Sequence, residues 1–337
     1  MSFAKSPSGV TSDSDFELLV GAFGAESRTM GYLHQLAALV SPQDGDLRDS
    51  IRRVSEFAQQ VRDSGLSHVL EVIFDQSVGE WDSASAMHDL VDAITGSFGG
   101  RVVFGNLNYD TLLLAALLYS CKDELADLGH GWKAVSITQG TSKRRFPSLR
   151  ANSMDWPDDR RVRLLHLHGS LTYWTDAGHS VYAKLDVEYL RSNNQWEAIR
   201  ENSTDLRPVI VLANQKDKTA HVTEFPFSLA YEMFDIGLDD AHHWLIIGYS
   251  FKDEPVNAML RREFAERSNK PKVLVVTYGD DPSQKDVERA FGWRVEDGPS
   301  NKWLRINRDG ADGIELTSDW QDFTATMAPE EAGGGAA

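Results

Sequence analysis

Arg163-Leu164-Leu165-His166-Leu167-His168-Gly169-Ser170 is the stretch that decides how this chain is read. Apolar residues lead almost unbroken into a histidine, a glycine and a serine. Such a run predicts a buried strand of an α/β sheet. In open parallel sheets ligands bind beyond the carboxyl ends of the strands. His168-Gly169-Ser170 is therefore a candidate site. A neutral imidazole is the usual general base near neutral pH, and Gly169 lets a ligand approach the backbone. Strand alternation would put His166 and His168 on one face. Two bland or rival readings stand beside this. The histidines are buried and structural, His166 more so than His168. Or they are a His-x-His pair of metal ligands, for which no third ligand is evident nearby.

Two other stretches have the same design. Arg101-Val102-Val103-Phe104 predicts a buried strand, followed by Asn106-Leu107-Asn108-Tyr109-Asp110 and an apolar helix over residues 111–119. The amide of Asn108 can hold a ribose hydroxyl or a water, and Asp110 can orient it. Alternatively Asp110-Thr111 simply caps the helix. His243-Trp244-Leu245-Ile246-Ile247-Gly248 predicts a strand, with Tyr249-Ser250-Phe251-Lys252-Asp253 before a helix over 255–267. A glycine and a hydroxyl at such a turn can receive a nucleotide phosphate or ribose. The competing reading is an ordinary loop with Ser250 or Asp253 as helix cap.

The rest of the chain supplies the frame. Residues 1–13 are Ser-, Gly- and Pro-rich and read as a flexible start. Residues 14–99 read as a helical subdomain. Ile51, Val54, Phe57, Ala58 and Val61 recur at helical steps, as do Met87, Leu90, Val91 and Ile94 before Gly99-Gly100. Residues 100–325 read as a Rossmann-like domain. In it, strands over 208–213, 243–248 and 272–276 and helices over 227–238 and 255–267 extend the alternation. The fold class is thus α/β, a Rossmann-like parallel sheet with an N-terminal helical subdomain. Residues 326–337 read as a disordered tail.

The net charge of −17 argues against a nucleic-acid surface. Lys143-Arg144-Arg145 and Arg160-Arg161 read as solvated loop. Cys121 is the only cysteine, which excludes an internal disulfide and a multi-cysteine zinc site and fits a reducing compartment. No signal-peptide core or membrane-spanning apolar run is found in the sequence. The expectation is a cytoplasmic protein with no membrane or nucleic-acid partner.

Asn-Tyr-Asp, then Leu-His-Gly-Ser, then Ile-Ile-Gly-Tyr-Ser-Phe-x-Asp, in this order and spacing, resembles the sirtuin-like family over about residues 100–280. The resemblance is to its bacterial branch of NAD hydrolases in anti-phage defence. Lys216 after the strand at 208–213 and the Phe16-Glu17 pair ahead of the helices fit that branch as well. The resemblance implies that Asn108 sits by the nicotinamide ribose and the water. It implies that Asp110 supports the nicotinamide end and that His168 is the general base, with Gly169 and Ser170 beside it. Gly248, Tyr249, Ser250 and Asp253 would line the phosphate and ribose, with Thr277 and Tyr278 near the adenosine. NAD would be the substrate, with no metal. A homo-oligomer or a defence-system partner protein is implied too.

The sequence departs from that pattern in three places. A Gly-Ala-Gly-x-Ser loop should cradle the pyrophosphate. The nearest string runs from Leu18 to Ser27, but Phe16, Leu19, Val20 and Phe23 are at helical spacing, so a helix is expected there and the loop is not found. Asn106-Leu107 replaces small hydroxyl residues, a mild change. The four-cysteine zinc ribbon of deacylating sirtuins is missing, so deacylation is not expected. The functional expectation is an NAD+ glycohydrolase. Its alternatives are a nucleotide-binding or assembly subunit without turnover, and a metal-dependent hydrolase using His166 and His168.

Overall fold

The computed structural model describes residues 32, 45–81, 84–130, 132–139, 142–176, 178–211 and 222–325. The flexible start, the Phe16–Ser27 string, Lys216 and the tail lie outside the described residues.

In chain order come helices α1 (Gly45–Gly79) and α2 (Ser85–Ser97), strand β1 (Val102–Asn106) and helix α3 (Leu112–Cys121). Strands β2 (Leu125–Ala126), β3 (Ala134–Gln139), β4 (Ser142–Pro147), β5 (Val162–His166), β6 (Gly169–Thr175) and β7 (Tyr182–Lys184) follow. Then come helices α4 (Val187–Ser192) and α5 (Gln195–Arg200), strand β8 (Arg207–Ile210) and helix α6 (Phe227–Asp240). The last elements are β9 (His243–Ile247), α7 (Glu254–Glu266), β10 (Lys272–Val276), α8 (Gln284–Ala290), β11 (Leu304–Asn307) and α9 (Ser318–Thr324). This is a mixed α/β fold with parallel sheets after an N-terminal helical region, as the sequence predicts, and it is consistent with a Rossmann-like architecture.

The chain forms two compact units. The first holds the described residues within Met1–Ser83, Val103–Leu118 and Lys122–Phe234. Its parallel sheet has the order β1-β5-β2. Beside it are an antiparallel sheet of order β7-β6-β8 and the hairpin β3-β4. Every residue of β5 and β6 is buried, the polar Arg163, His166, Ser170, Thr172 and Thr175 included. The run at Pro208 belongs to β8, which pairs antiparallel with β6, Gly169 facing Ile210. Hydrophobic periodicity does not encode strand direction, so the sequence alone left that pairing unspecified.

Helix α1 has one surprise. The predicted apolar stripe in its first half is exposed at Val54 (49%), Phe57 (67%) and Val61 (40%). Its buried face lies further along, at Leu70 and Phe74, four residues apart as helix geometry requires. Both join a core with Trp174, Trp196, Leu190 and Tyr189. Arg200 on α5 pairs with Glu71 at 2.7 Å, and Arg207 pairs with buried Asp63 at 2.9 Å.

The second unit takes Ala84–Val102, Tyr119–Cys121 and the described part of Asp235–Ala337. Its parallel sheet has the order β11-β10-β9, with Val273 level with Trp244 and Leu304. The core is aromatic: the Phe264 ring lies 4.5 Å from Trp303 and 5.2 Å from Phe291. In α2, Leu90, Val91 and Ile94 are buried, as their spacing predicts.

Candidate functional site

In the first unit the chain leaves the parallel sheet at His166 and starts β6 at Gly169. Leu167 and His168 form the turn between them. The strand therefore stops two residues before His168, and simple alternation does not carry through to it. Gly169 has φ +88°, and a Cβ there would meet the Val209 carbonyl oxygen at 2.1 Å. Glycine is needed here because β8 passes close by. Ser170 is fully buried, its hydroxyl 2.9 Å from that of Thr172 and accepting from the Thr172 N–H at 3.2 Å. His168 is buried at 7% exposure, and its carbonyl accepts from Val211 N at 2.8 Å.

The loop after β1 runs alongside this turn. Leu167 N donates to Asn106 O at 2.9 Å, and Leu171 N donates to Tyr109 O at 2.9 Å. These two bonds bring Asn108 and Asp110 next to the segment carrying His168, 60 residues on from Asn108 in the chain. Asp110 is half-buried, and its Oδ1 accepts from Leu112 N at 3.0 Å, so it caps α3. Burial raises its pKa, against the lowering effect of backbone hydrogen bonds. Thr111, which the sequence reading treated only as part of a cap, anchors the loop. Its hydroxyl lies 3.0 Å from Ser77 Oγ and accepts from Trp81 Nε1 at 3.2 Å.

Two further residues pack into this region, Asn106, which the sequence reading gave no role, and His166, which it read as structural or as a metal ligand. Asn106 is buried; its Oδ1 accepts from Asn108 N at 3.1 Å and its Nδ2 lies 3.4 Å from His166 Nδ1. His166 is almost wholly buried, with its ring edge-on to Tyr173. Burial holds its pKa down at about 4; Asp127 and a backbone interaction with Asn108 pull it up, and Lys184 pushes it down. The spacing of Asn106 and Asn108, two residues apart after a strand, was the available signal. Among the described residues no group of three His, Cys, Asp or Glu side chains is arranged to hold a metal ion.

Close by, Asp127 is fully buried and is paired with Lys184. Burial raises its pKa, but Lys184 and the backbone N–H groups outweigh that and hold the carboxyl at about 2. Arg150 lies beneath, donating to the carbonyls of Asp127, His130 and Asp155. Within the segment 127–130 the Gly129 and His130 backbone N–H groups donate to the Asp127 carboxylate.

The second unit gathers the other candidates at the ends of two adjacent strands. Gly248 N donates to Val276 O at 2.9 Å, which sets the turn after β9 level with the end of β10. Gly248 (φ +64°) and Ser250 are exposed. The Tyr249 hydroxyl reaches the Asp253 carbonyl at 3.0 Å and Asn257 Oδ1 at 2.9 Å. Asn257 Nδ2 donates to Phe251 O at 2.8 Å, steadying a non-glycine residue at φ +56°. Asp253 Oδ1 caps α7 through Val256 N at 3.2 Å. With Asp253 and Glu254 at its first turn, that helix end already has negative partners. The turn therefore suits ribose hydroxyls better than a phosphate. Thr277 is buried and donates to Asp281 O at 2.6 Å, while Tyr278 projects at 87% exposure.

One unit carries an Asn/Asp loop and a buried histidine at its strand ends, and the other carries a Gly-Tyr-Ser turn after a strand. The family model for the SIR2-like domain matches residues 102–295. That is more than half of the 337 residues, and the chain belongs to this family. The match contains every candidate residue from Asn108 to Tyr278. A sirtuin-like, nucleotide-related function follows at this level. No curated protein matches the chain. No helix of the described residues is long and apolar enough to cross a membrane.

Proposed function

We propose that the protein is a sirtuin-like NAD+ glycohydrolase that releases nicotinamide and ADP-ribose, acting in the cytoplasm as an anti-phage defence effector. The observation that carries this reading is the pair of backbone bonds from Leu167 and Leu171 to the Asn106–Tyr109 loop. They hold the loop of Asn108 and Asp110 against the turn of His168. In the reaction, the bond between the ribose C1′ and the nicotinamide nitrogen breaks, and its electron pair leaves with nicotinamide. Positive charge builds on the ribose as an oxocarbenium-like centre, which positioned polar groups stabilise. Asn108 orients the ribose hydroxyl or the water through its amide. Asp110 supports the nicotinamide end. His168 accepts the proton as the water oxygen bonds to C1′. In the second unit, the Gly248–Ser250 turn is the candidate for phosphate and ribose contacts, and Thr277 and Tyr278 are the candidates for adenosine contacts, by the family resemblance. An oligomer, or a partner protein of the defence system, would gate the activity.

Burial of Ser170 and the capping roles of Asp110 and Asp253 favour a second reading, a nucleotide-binding or assembly subunit that does not turn over. Purified protein, alone and with candidate triggers, is incubated with NAD+ and nicotinamide release is measured. Release that disappears in His168→Ala, with unchanged thermal stability, is the expected result. Activity persisting in that variant would overturn the assignment of the base. ADP-ribose binding by calorimetry without turnover under any trigger would favour the second reading.

A further inference from the structure

His166 and Asn106 stand outside the chemistry just described, yet both are buried beside it. Asn106 Oδ1 is engaged by the Asn108 N–H at 3.1 Å, so its Nδ2 is the group that faces His166 Nδ1 at 3.4 Å. An amide has one acceptor side and one donor side. Fixing the acceptor on Asn108 fixes the donor on the imidazole. The pair is a hydrogen bond only while Nδ1 carries a lone pair, that is, in the neutral ring with its proton on Nε2. Rotating the amide to satisfy a protonated ring would turn the NH2 group towards the Asn108 N–H and leave that donor unpaired.

Other features leave the loop little freedom elsewhere. Asn106 O and Tyr109 O accept from Leu167 N and Leu171 N, and the Thr111 hydroxyl is tied to Ser77 and Trp81. Asn108 lies between these anchors. The Asn106 side chain is the group within the loop that reaches its backbone N–H. The Tyr173 ring stands edge-on to His166 at 5.4 Å and walls in the imidazole.

We propose that Asn106 and His166 form a latch that positions Asn108, with His166 a positioning residue acting through Asn106 and through its own contact with the Asn108 backbone. The functional consequence rests on the reading of Asn108 as a substrate-side group; the latch itself does not.

The test therefore has one arm that needs no activity. Amide hydrogen exchange at Asn108 is measured by NMR in the full chain, in the native protein and in Asn106→Leu, His166→Leu and His166→Gln. The glutamine can still accept from Asn106, so it is the conservative rescue. Exchange at Asn108 is expected to accelerate about tenfold or more in both leucine variants, and to stay near the native rate in His166→Gln. Where His166→Leu does not fold, Asn106→Leu and His166→Gln carry the comparison. In the second arm, NAD+ turnover should show a lower kcat at nearly unchanged KM in the leucine variants, with recovery in His166→Gln. Unchanged Asn108 exchange in the leucine variants would overturn the latch. So would acceleration spread evenly over the core, which marks a merely structural role. Local acceleration at Asn108 in a protein that turns over no NAD+ supports the latch and refutes the glycohydrolase reading.

Discussion

Replacing His166 should flatten the acid side of the protein's stability curve. The folded protein keeps His166 neutral down to about pH 4, because burial disfavours the imidazolium. The unfolded chain protonates the same ring near its ordinary value of about 6.5. Between those values the unfolded state binds the extra proton, so stability falls as pH falls, and the loss is complete below the folded pKa. One pKa unit corresponds to about 1.4 kcal/mol. Going from about pH 7.5 to about pH 5, His166 alone should remove about 2 kcal/mol. His130 and His243 have depressed pKa values as well, mainly through burial, and act in the same direction. The difference between two proteins isolates the one ring. Denaturant unfolding at a series of pH values, on the native chain and His166→Gln, is the assay. The variant should lose about 2 kcal/mol less over that interval. Parallel curves, agreeing within about 0.5 kcal/mol, would mean that His166 is not held neutral by its surroundings and would refute the reasoning.

Gly169→Ala should destabilise the protein by about 4 kcal/mol or more, because a Cβ at φ +88° falls 2.1 Å from the Val209 carbonyl oxygen; thermal unfolding checks it. Lys184→Met leaves the fully buried Asp127 charge without its partner and should cost about 3–5 kcal/mol near neutral pH. Without Lys184, burial dominates and raises the Asp127 pKa, so that variant's deficit should shrink as pH falls from neutral, and shrink further below about pH 4 where the native chain loses its paired Asp127 charge; urea titrations at each pH would reveal this. Tyr278→Ala removes a ring that is 87% exposed and should change stability by less than about 0.5 kcal/mol. Under the nucleotide reading it should nonetheless weaken ADP-ribose binding by calorimetry, and unchanged affinity would remove Tyr278 from the site.

Much of the frame was legible because burial on both faces writes itself as unbroken apolar runs. β10 matches its predicted bounds, and β1, β5, α6, β9 and α7 lie within a few residues of theirs. α2 buries Leu90, Val91 and Ile94 of the four residues its spacing selected, with Met87 half-buried. The stripe Val54, Phe57 and Val61 misled, because periodicity reports that a helix has an apolar face but not that a partner covers it. The site was legible as three strand ends. It was not legible that Gly169 answers to the β8 backbone, since that depends on an antiparallel pairing remote in sequence.

The sequence by itself determined the alternation of strands and helices, the glycine turns and the kinds of side chain at each strand end. These are local properties, set by burial pattern and backbone freedom. The tertiary structure alone decided which of those ends meet within a unit and what each polar group is spent on. Thr111 anchors its loop to Ser77, and Asn106 links Asn108 to a histidine 60 residues on from Asn106 in the chain. A buried donor or acceptor must find a partner wherever the fold supplies one. That choice is made by packing over long sequence separations, where no spacing rule reaches.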